Sequence, residues 1–232
     1  MATVVSVMDR SEWTARTDNI VVVDAEANTL TWIPRDLWSP TLRNRVNIAF
    51  QRGGHVMLLA ALADHGFRAT ESLCVLRDAV ALALREIAVD VPVEEHLRFW
   101  YPMRPDLEIE DGRKLVEFHP PGEVLVGERI HQWLGARYAV EGPSSDLYRI
   151  RRQQTFVRRL LEDGFDFGRA LVDPELISIT STRVWDDLQL VGADWQFAVI
   201  DDVVPRKIDG MAVLVQRGHE PSPDVGDAHV AH

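Results

Sequence analysis

One cysteine, two lysines and no long apolar run set the first limits on this chain of 232 residues. The lone Cys74 excludes an intramolecular disulfide framework and any multi-cysteine metal site, and its apolar surroundings mark it as a core residue. No segment approaches the roughly 18 to 20 apolar residues that cross a bilayer, and residues 1–15 lack the charged start and apolar centre of a signal peptide. As written, the chain is expected to be cytoplasmic and soluble, with no integral membrane segment. Positive charge is also scarce: the formal net charge of −11 argues against a nucleic-acid partner held through its phosphates. Any anion must be met locally.

What positive charge there is comes almost wholly as arginine, since Lys114 and Lys207 are the only lysines. Arginine suits bidentate contact with phosphate or carboxylate, but GC-rich codon usage also enriches it, so position and not number must carry the argument. With 46% hydrophobic and 26% charged residues the chain has the composition of a soluble globular domain. We expect a single domain over 1–217 and a flexible polar tail over 218–232.

The β-branched runs TVVSVMD and NIVVVDA read as neighbouring core strands, and TLTWIPRD as a third, stopped by Pro34. Gly53 and Gly54 precede a helix expected from His55 to Ala63, and a second is expected from Leu76 to Ile87, before a strand at VDVPV. Residues 96–122, rich in proline and aromatics, read as an irregular excursion, a lid or pocket wall, with a possible strand at KLVEFH. Helices follow around Glu128 to Tyr138 and from Asp146 to Glu162, the latter capped by Ser145 or Asp146. A short helix near Val184 to Leu190 and strands at FAVI and MAVLVQ complete the reading.

On the 146–162 helix, Ile150, Val157, Leu160 and Leu161 share a face with Asp146, Arg149 and Gln153. An inward arginine costs several kcal/mol to desolvate unless an acceptor meets it. Either Arg149 pairs with Asp146 at i−3, or Arg149 and Gln153 face a bound phosphate; spacing alone leaves both open. Asp9 and Arg10 after the first strand, Arg16 and Asp18 before the second, and Arg35 and Asp36 after the third place carboxylates and arginines together at strand ends. That mixture suits magnesium held by one or two carboxylates plus substrate oxygens, with guanidinium groups taking the remaining phosphate charge.

The order of these pieces resembles the LytR-CpsA-Psr (LCP) family over roughly residues 4–165. The matching pieces are VSVMD, RTD before NIVVV, TLTWIPRDLW, RVNIAFQRGG and the helix DLYRIRRQQ. The resemblance implies an α/β fold, with a mixed central β-sheet flanked by helices enclosing a hydrophobic pocket for a polyprenyl chain and a polar mouth for its pyrophosphate. It further implies a magnesium-dependent transferase. By position, Asp9 and Asp18 would organise the metal. Arg16, Arg35, Arg137, Arg149 and Arg152 would hold the pyrophosphate, with Gln153 beside them, and Asp9, Asp18, Arg35 and Arg149 would carry catalysis. The family's Arg-x-Arg pair before the last helix is reduced here to Arg137 with Ala139 in the second position, and its N-terminal membrane anchor is absent from the sequence as written.

His219, His229 and His232 fall in the expected tail and the other five histidines show no close ligand spacing, so no zinc site is expected, and no glycine-rich nucleotide fingerprint occurs. The seven tryptophans, Trp100 and Trp133 among them, read as core residues before they read as a lipid tunnel. Three functions remain compatible. The first is an enzyme moving a phosphate-linked group from a prenyl or polyprenyl pyrophosphate to a hydroxyl or water. The second is a soluble relative that ionises a short prenyl diphosphate, and the third is a non-catalytic binder of such lipids.

Overall fold

The computed structural model describes residues 2–104, 109–141, 145–171 and 173–218. Strands β1 (Ala2–Met8), β2 (Thr17–Asp24) and β3 (Thr29–Trp32) form an antiparallel meander. Two short strands, β4 (Trp38–Ser39) and β5 (Asn44–Arg45), pair before helix α1 (Ala49–Ala63), strand β6 (Ala69–Val75) and helix α2 (Arg77–Ala83). A second group follows: β7 (Ala88–Pro92), β8 (Leu97–Pro102), β9 (Arg113–Phe118), β10 (Gly122–Val126), helix α3 (Glu128–Gly135) and β11 (Tyr138–Ala139). The long helix α4 (Asp146–Glu162) precedes α5 (Phe167–Ala170), β12 (Ile177–Ile179), α6 (Arg183–Gln189), β13 (Gln196–Val199), β14 (Val203–Ile208) and β15 (Met211–Gln216).

The central sheet has the order β12-β6-β1-β2-β3-β13. It is mixed, because β1 runs parallel to β6 and β3 parallel to β13 while the other pairs are antiparallel. Its strands read as near-continuous valine runs because both faces are covered. Val4, Ile20 and Val22 pack with Leu58, Ala61 and Leu62 of α1 on one side. Val5, Val21 and Val23 pack with Ile150 of α4 and with Val184 and Leu188 of α6 on the other. The expected mixed sheet flanked by helices is the architecture found.

Several local expectations need correction. Residues 96–122 are not irregular throughout. Within them β8 and β9 form a hairpin, with Phe99 and Tyr101 on the buried face against Val116 and Phe118, and this packing outweighs the local proline content. The helix expected from His55 to Ala63 is found, but a short helical stretch from Ala49 that was not expected precedes it, separated by the non-helical Gly53 and Gly54; Gly54 at φ +58° takes a left-handed conformation that a side chain disfavours. The α2 helix ends at Ala83 and α3 at Gly135, each short of the expected span, and β12 and β14 gave no clear signal. From residue 219 onward the expected tail lies outside the described residues.

Ser145 caps α4 by accepting the Tyr148 backbone N–H, as anticipated. That cap fixes the register of the helix, and so the direction of Asp146 and Arg149 at its start.

Candidate functional site

The C-terminal end of β1, the N-terminal end of β2, the loop after β3 and the first turn of α4 meet at one edge of the sheet. At their centre Asp18 lies between two arginines. Arg35 Nη1 donates to Asp18 Oδ1, and Arg149 Nη1 lies 2.7 Å from Asp18 Oδ2. Arg149 also donates from Nε to Asp146 Oδ1 at 2.9 Å and from Nη2 to the Asp18 carbonyl at 2.9 Å. Asp146 Oδ2 accepts the Arg35 backbone N–H at 2.8 Å. Three segments distant in sequence are thereby joined by one closed network of two carboxylates and two guanidinium groups.

Arg149 is only 1% exposed, so both alternatives left open by spacing can be compared with its surroundings. Its partner at i−3 is present, and Asp18 is a second partner. Burial alone raises the Asp18 carboxyl, but the fields of Arg149 and then Arg35 overcome that and hold it well below the usual carboxylate range. Asp9 behaves oppositely. Burial and the nearby Asp18 charge push its carboxyl up against the pull of Arg35, whose Nη2 stands 4.0 Å from Asp9 Oδ2.

Outside this network opens a cleft of about 710 Å³ lined by Asp9, Arg10, Arg16, Arg35, Arg137 and Asp146, among others. It shares Asp9, Arg10, Arg35 and Arg137 with an adjoining space of about 200 Å³, walled also by Asp18, Arg77, Trp100, Tyr101 and His131. That space in turn shares Val7, Asn19, Val80 and Leu134 with a cavity of about 170 Å³ lined almost wholly by apolar side chains, including Val21, Val157, Leu160 and Phe165. The polar mouth and the apolar chamber between the sheet and α4 thus flank one intermediate space and share its wall residues.

Of the residues picked out in the sequence, Asp9, Asp18, Arg16, Arg35 and Arg137 line these connected spaces. Arg149 sits directly behind Asp18. Arg152 lies elsewhere: it donates to the carbonyls of Trp133 and Ala136 at the end of α3, and its guanidinium stacks 4.4 Å from the Phe99 ring centroid. Burial, then the neighbouring Arg149, bring it down to about 9. Gln153 donates to the Leu134 carbonyl at 3.0 Å and borders the apolar chamber rather than the mouth. Arg152 and Gln153 thus join α4 to α3, a role that their place about one turn after Arg149 does not distinguish from ligand binding.

Arg77, Tyr101 and His131 line the cleft without having been picked out. No motif carries them, since two come from the hairpin and α3 that fold over the sheet edge. Burial, followed by the Arg77 charge, lowers the His131 pKa and favours the neutral ring. Among the described residues, His96, Glu117 and His119 place their ligand atoms within 4.8 Å of one another.

No protein-family model matches the sequence, and no curated protein matches it. Solved structures do. The protein gbs0355 of Streptococcus agalactiae superposes with a TM-score of 0.67 at 14% identity, over 93% of this chain and 82% of that one. TagT bound to LI-WTA gives 0.63 at 12% identity, over 92% and 84%, and B. subtilis TagV gives 0.62 at 13%, over 93% and 90%. The fold is LCP-like. At such low identity the agreement concerns the course of the chain, and it extends over nearly all of it, well past the 4–165 region where the LCP-like motifs lie. No helix of the described residues is long and apolar enough to cross a membrane.

Proposed function

We propose that the protein is a magnesium-dependent LCP-like transferase acting on a prenyl or polyprenyl pyrophosphate, moving a phosphate-linked group to a hydroxyl or to water. The observation that carries this reading is an arginine-rich polar mouth and an apolar chamber placed on either side of one shared intermediate space, which matches a ligand with a pyrophosphate head and a hydrocarbon tail. That TagT, with the same fold, has been solved bound to LI-WTA supports a ligand-binding cleft.

The donor set fits one cation. Both Asp18 oxygens are engaged by guanidinium groups, whereas Asp9 borders the open cleft and carries an unfavourable charge that a cation would relieve. One carboxylate with water and phosphate oxygens is a usual magnesium environment. Bound there, magnesium would neutralise charge developing on the phosphate oxygens.

The protein's own groups do the rest. Arg35, Arg16 and Arg137 hold the pyrophosphate from the wall of the cleft. Asp18, kept ionised by Arg149, fixes the Arg35 guanidinium by a charged hydrogen bond and is too weak a base to take a proton near neutrality. Asp9 borders the cleft, and its carboxylate oxygen left over from the cation would accept the proton of an attacking hydroxyl. The acceptor oxygen bonds to phosphorus, a bridging P–O bond breaks, and the prenyl phosphate leaves. Catalysis is then chiefly positioning and charge neutralisation.

The test is incubation with farnesyl, geranylgeranyl and undecaprenyl diphosphates, with and without magnesium, followed by mass spectrometry, with Arg16→Ala and Arg137→Ala as controls. Magnesium-dependent release of phosphate or a phosphate ester, diminished in both variants, is expected. A rearranged hydrocarbon with free diphosphate, or binding without turnover, would overturn this reading.

A further inference from the structure

At the end of the β8–β9 hairpin remote from the cleft, the register brings together three side chains that the pyrophosphate reading does not use. The last paired residues are Leu97 and Phe118, so His96 and His119 continue the ladder by one step on opposite chains. Their rings stack at 4.4 Å between centroids, 23° from parallel. Glu117 lies two residues before His119, and the two-residue period of a strand puts both on one face. His96 Nε2 stands 3.4 Å from Glu117 Oε1.

We propose that His96, Glu117 and His119 form a surface site for a zinc-type divalent transition-metal ion, with water as its fourth ligand. Two imidazoles and a carboxylate are an established zinc donor set, and tetrahedral bonds of about 2.0–2.2 Å hold ligand atoms roughly 3.4 Å apart. The His96–Glu117 separation already has that value, and the spread of ligand atoms within 4.8 Å needs only side-chain rotation to close. Two nitrogen donors favour zinc, cobalt or nickel over magnesium, which takes oxygen ligands.

Arg98 is the main competitor. Its Nε comes 3.2 Å from Glu117 Oε1, but without hydrogen-bond geometry, and its Nη1 lies 3.3 Å from Glu141 Oε1. Arg98 can therefore keep Glu141 when Glu117 turns to a metal. The ion would fasten the entry of β8 to the exit of β9. The same hairpin delivers Trp100 and Tyr101 to the cleft from its other end, so the site is placed to stiffen that wall without touching the ligand.

The test is calorimetric titration of the EDTA-treated full-length protein with zinc chloride, paired with the visible absorption of the cobalt form. Because His219, His229 and His232 offer rival ligands, a variant with all three replaced by alanine is titrated alongside. One ion per chain is expected, retained in the tail variant, outlasting excess magnesium, and weakened more than about tenfold by His96→Ala and by His119→Ala. Both histidines are exposed, and equal melting temperatures in EDTA would show that these variants keep the fold. Absence of stoichiometric binding, binding that survives loss of His96 and His119, or binding that disappears with the tail histidines would each overturn the site. None of these outcomes depends on pyrophosphate turnover.

Discussion

Two sets of arginines and aspartates stand side by side at the sheet edge, and their difference separates scaffold from candidate chemistry. In the inner set, Asp18, Arg35, Asp146 and Arg149 answer one another's charge and tie β2, the loop after β3 and α4 together. In the outer set, Asp9, Arg10, Arg16 and Arg137 border open space. Residue type is the same in both; the enclosure differs. A guanidinium shut in among carboxylates, as that of Arg149 is, is committed to holding the fold, whereas one that reaches the cleft, as those of Arg16, Arg137 and, from the inner set, Arg35 do, can meet a phosphate.

The inner set should therefore fail by unfolding. Arg149→Met would leave Asp146 without its guanidinium and Asp18 with Arg35 alone, and we expect a loss of about 3–5 kcal/mol in urea unfolding at pH 7. The companion test is a double variant with Asp18→Asn, which should recover part of that loss because the two sites are in contact. Equal losses that simply add would remove the distinction between the sets.

Acid separates Asp18 from Asp9 in sign. The folded pKa of Asp18 is depressed, so its contribution is present above the unfolded value of about 3.9 and is lost as pH falls through the lower folded value. Asp9 has a raised folded pKa, so its contribution is present below about 3.9 and is lost as pH rises through the higher folded value. Urea midpoints measured between pH 2.5 and 7 should show Asp18→Asn flattening the acid slope. Asp9→Asn should leave stability at pH 7 unchanged or slightly higher. Destabilisation of Asp9→Asn at neutral pH would place Asp9 in the scaffold.

The sheet was legible because it is local and apolar: valine runs ending at Asp9 and beginning at Ile20 announced themselves, and so did the amphipathic α4. The inward direction of Arg149 was equally readable from its helical position. Its second partner was not, since Asp18 lies 131 residues away and only the closure of the fold brings it there. The hairpin region was harder for a different reason. Phe99 and Tyr101 acquire a buried face only by packing on Val116 and Phe118, and proline and aromatic content conceal that alternation. His96 and His119, 23 positions apart, become neighbours by the same pairing. Sequence spacing along one segment cannot contain such contacts.

Rim residues should give the complementary result. Arg16→Ala is expected to weaken pyrophosphate binding about tenfold, the scale of one charge-assisted hydrogen bond, while stability moves by no more than about 0.5 kcal/mol. Calorimetry with inorganic pyrophosphate and magnesium, beside urea unfolding of the same sample, reads both quantities. The smallest effect should come from the chamber. Val157→Phe would intrude on the apolar space and reduce affinity for a long prenyl diphosphate several-fold, yet leave inorganic pyrophosphate binding unchanged, because Val157 borders the chamber and not the mouth. An equal loss for both ligands would mean that the chamber and the mouth are mechanically one unit, and that the tail of the lipid contributes through the shape of the cleft instead of through its own burial.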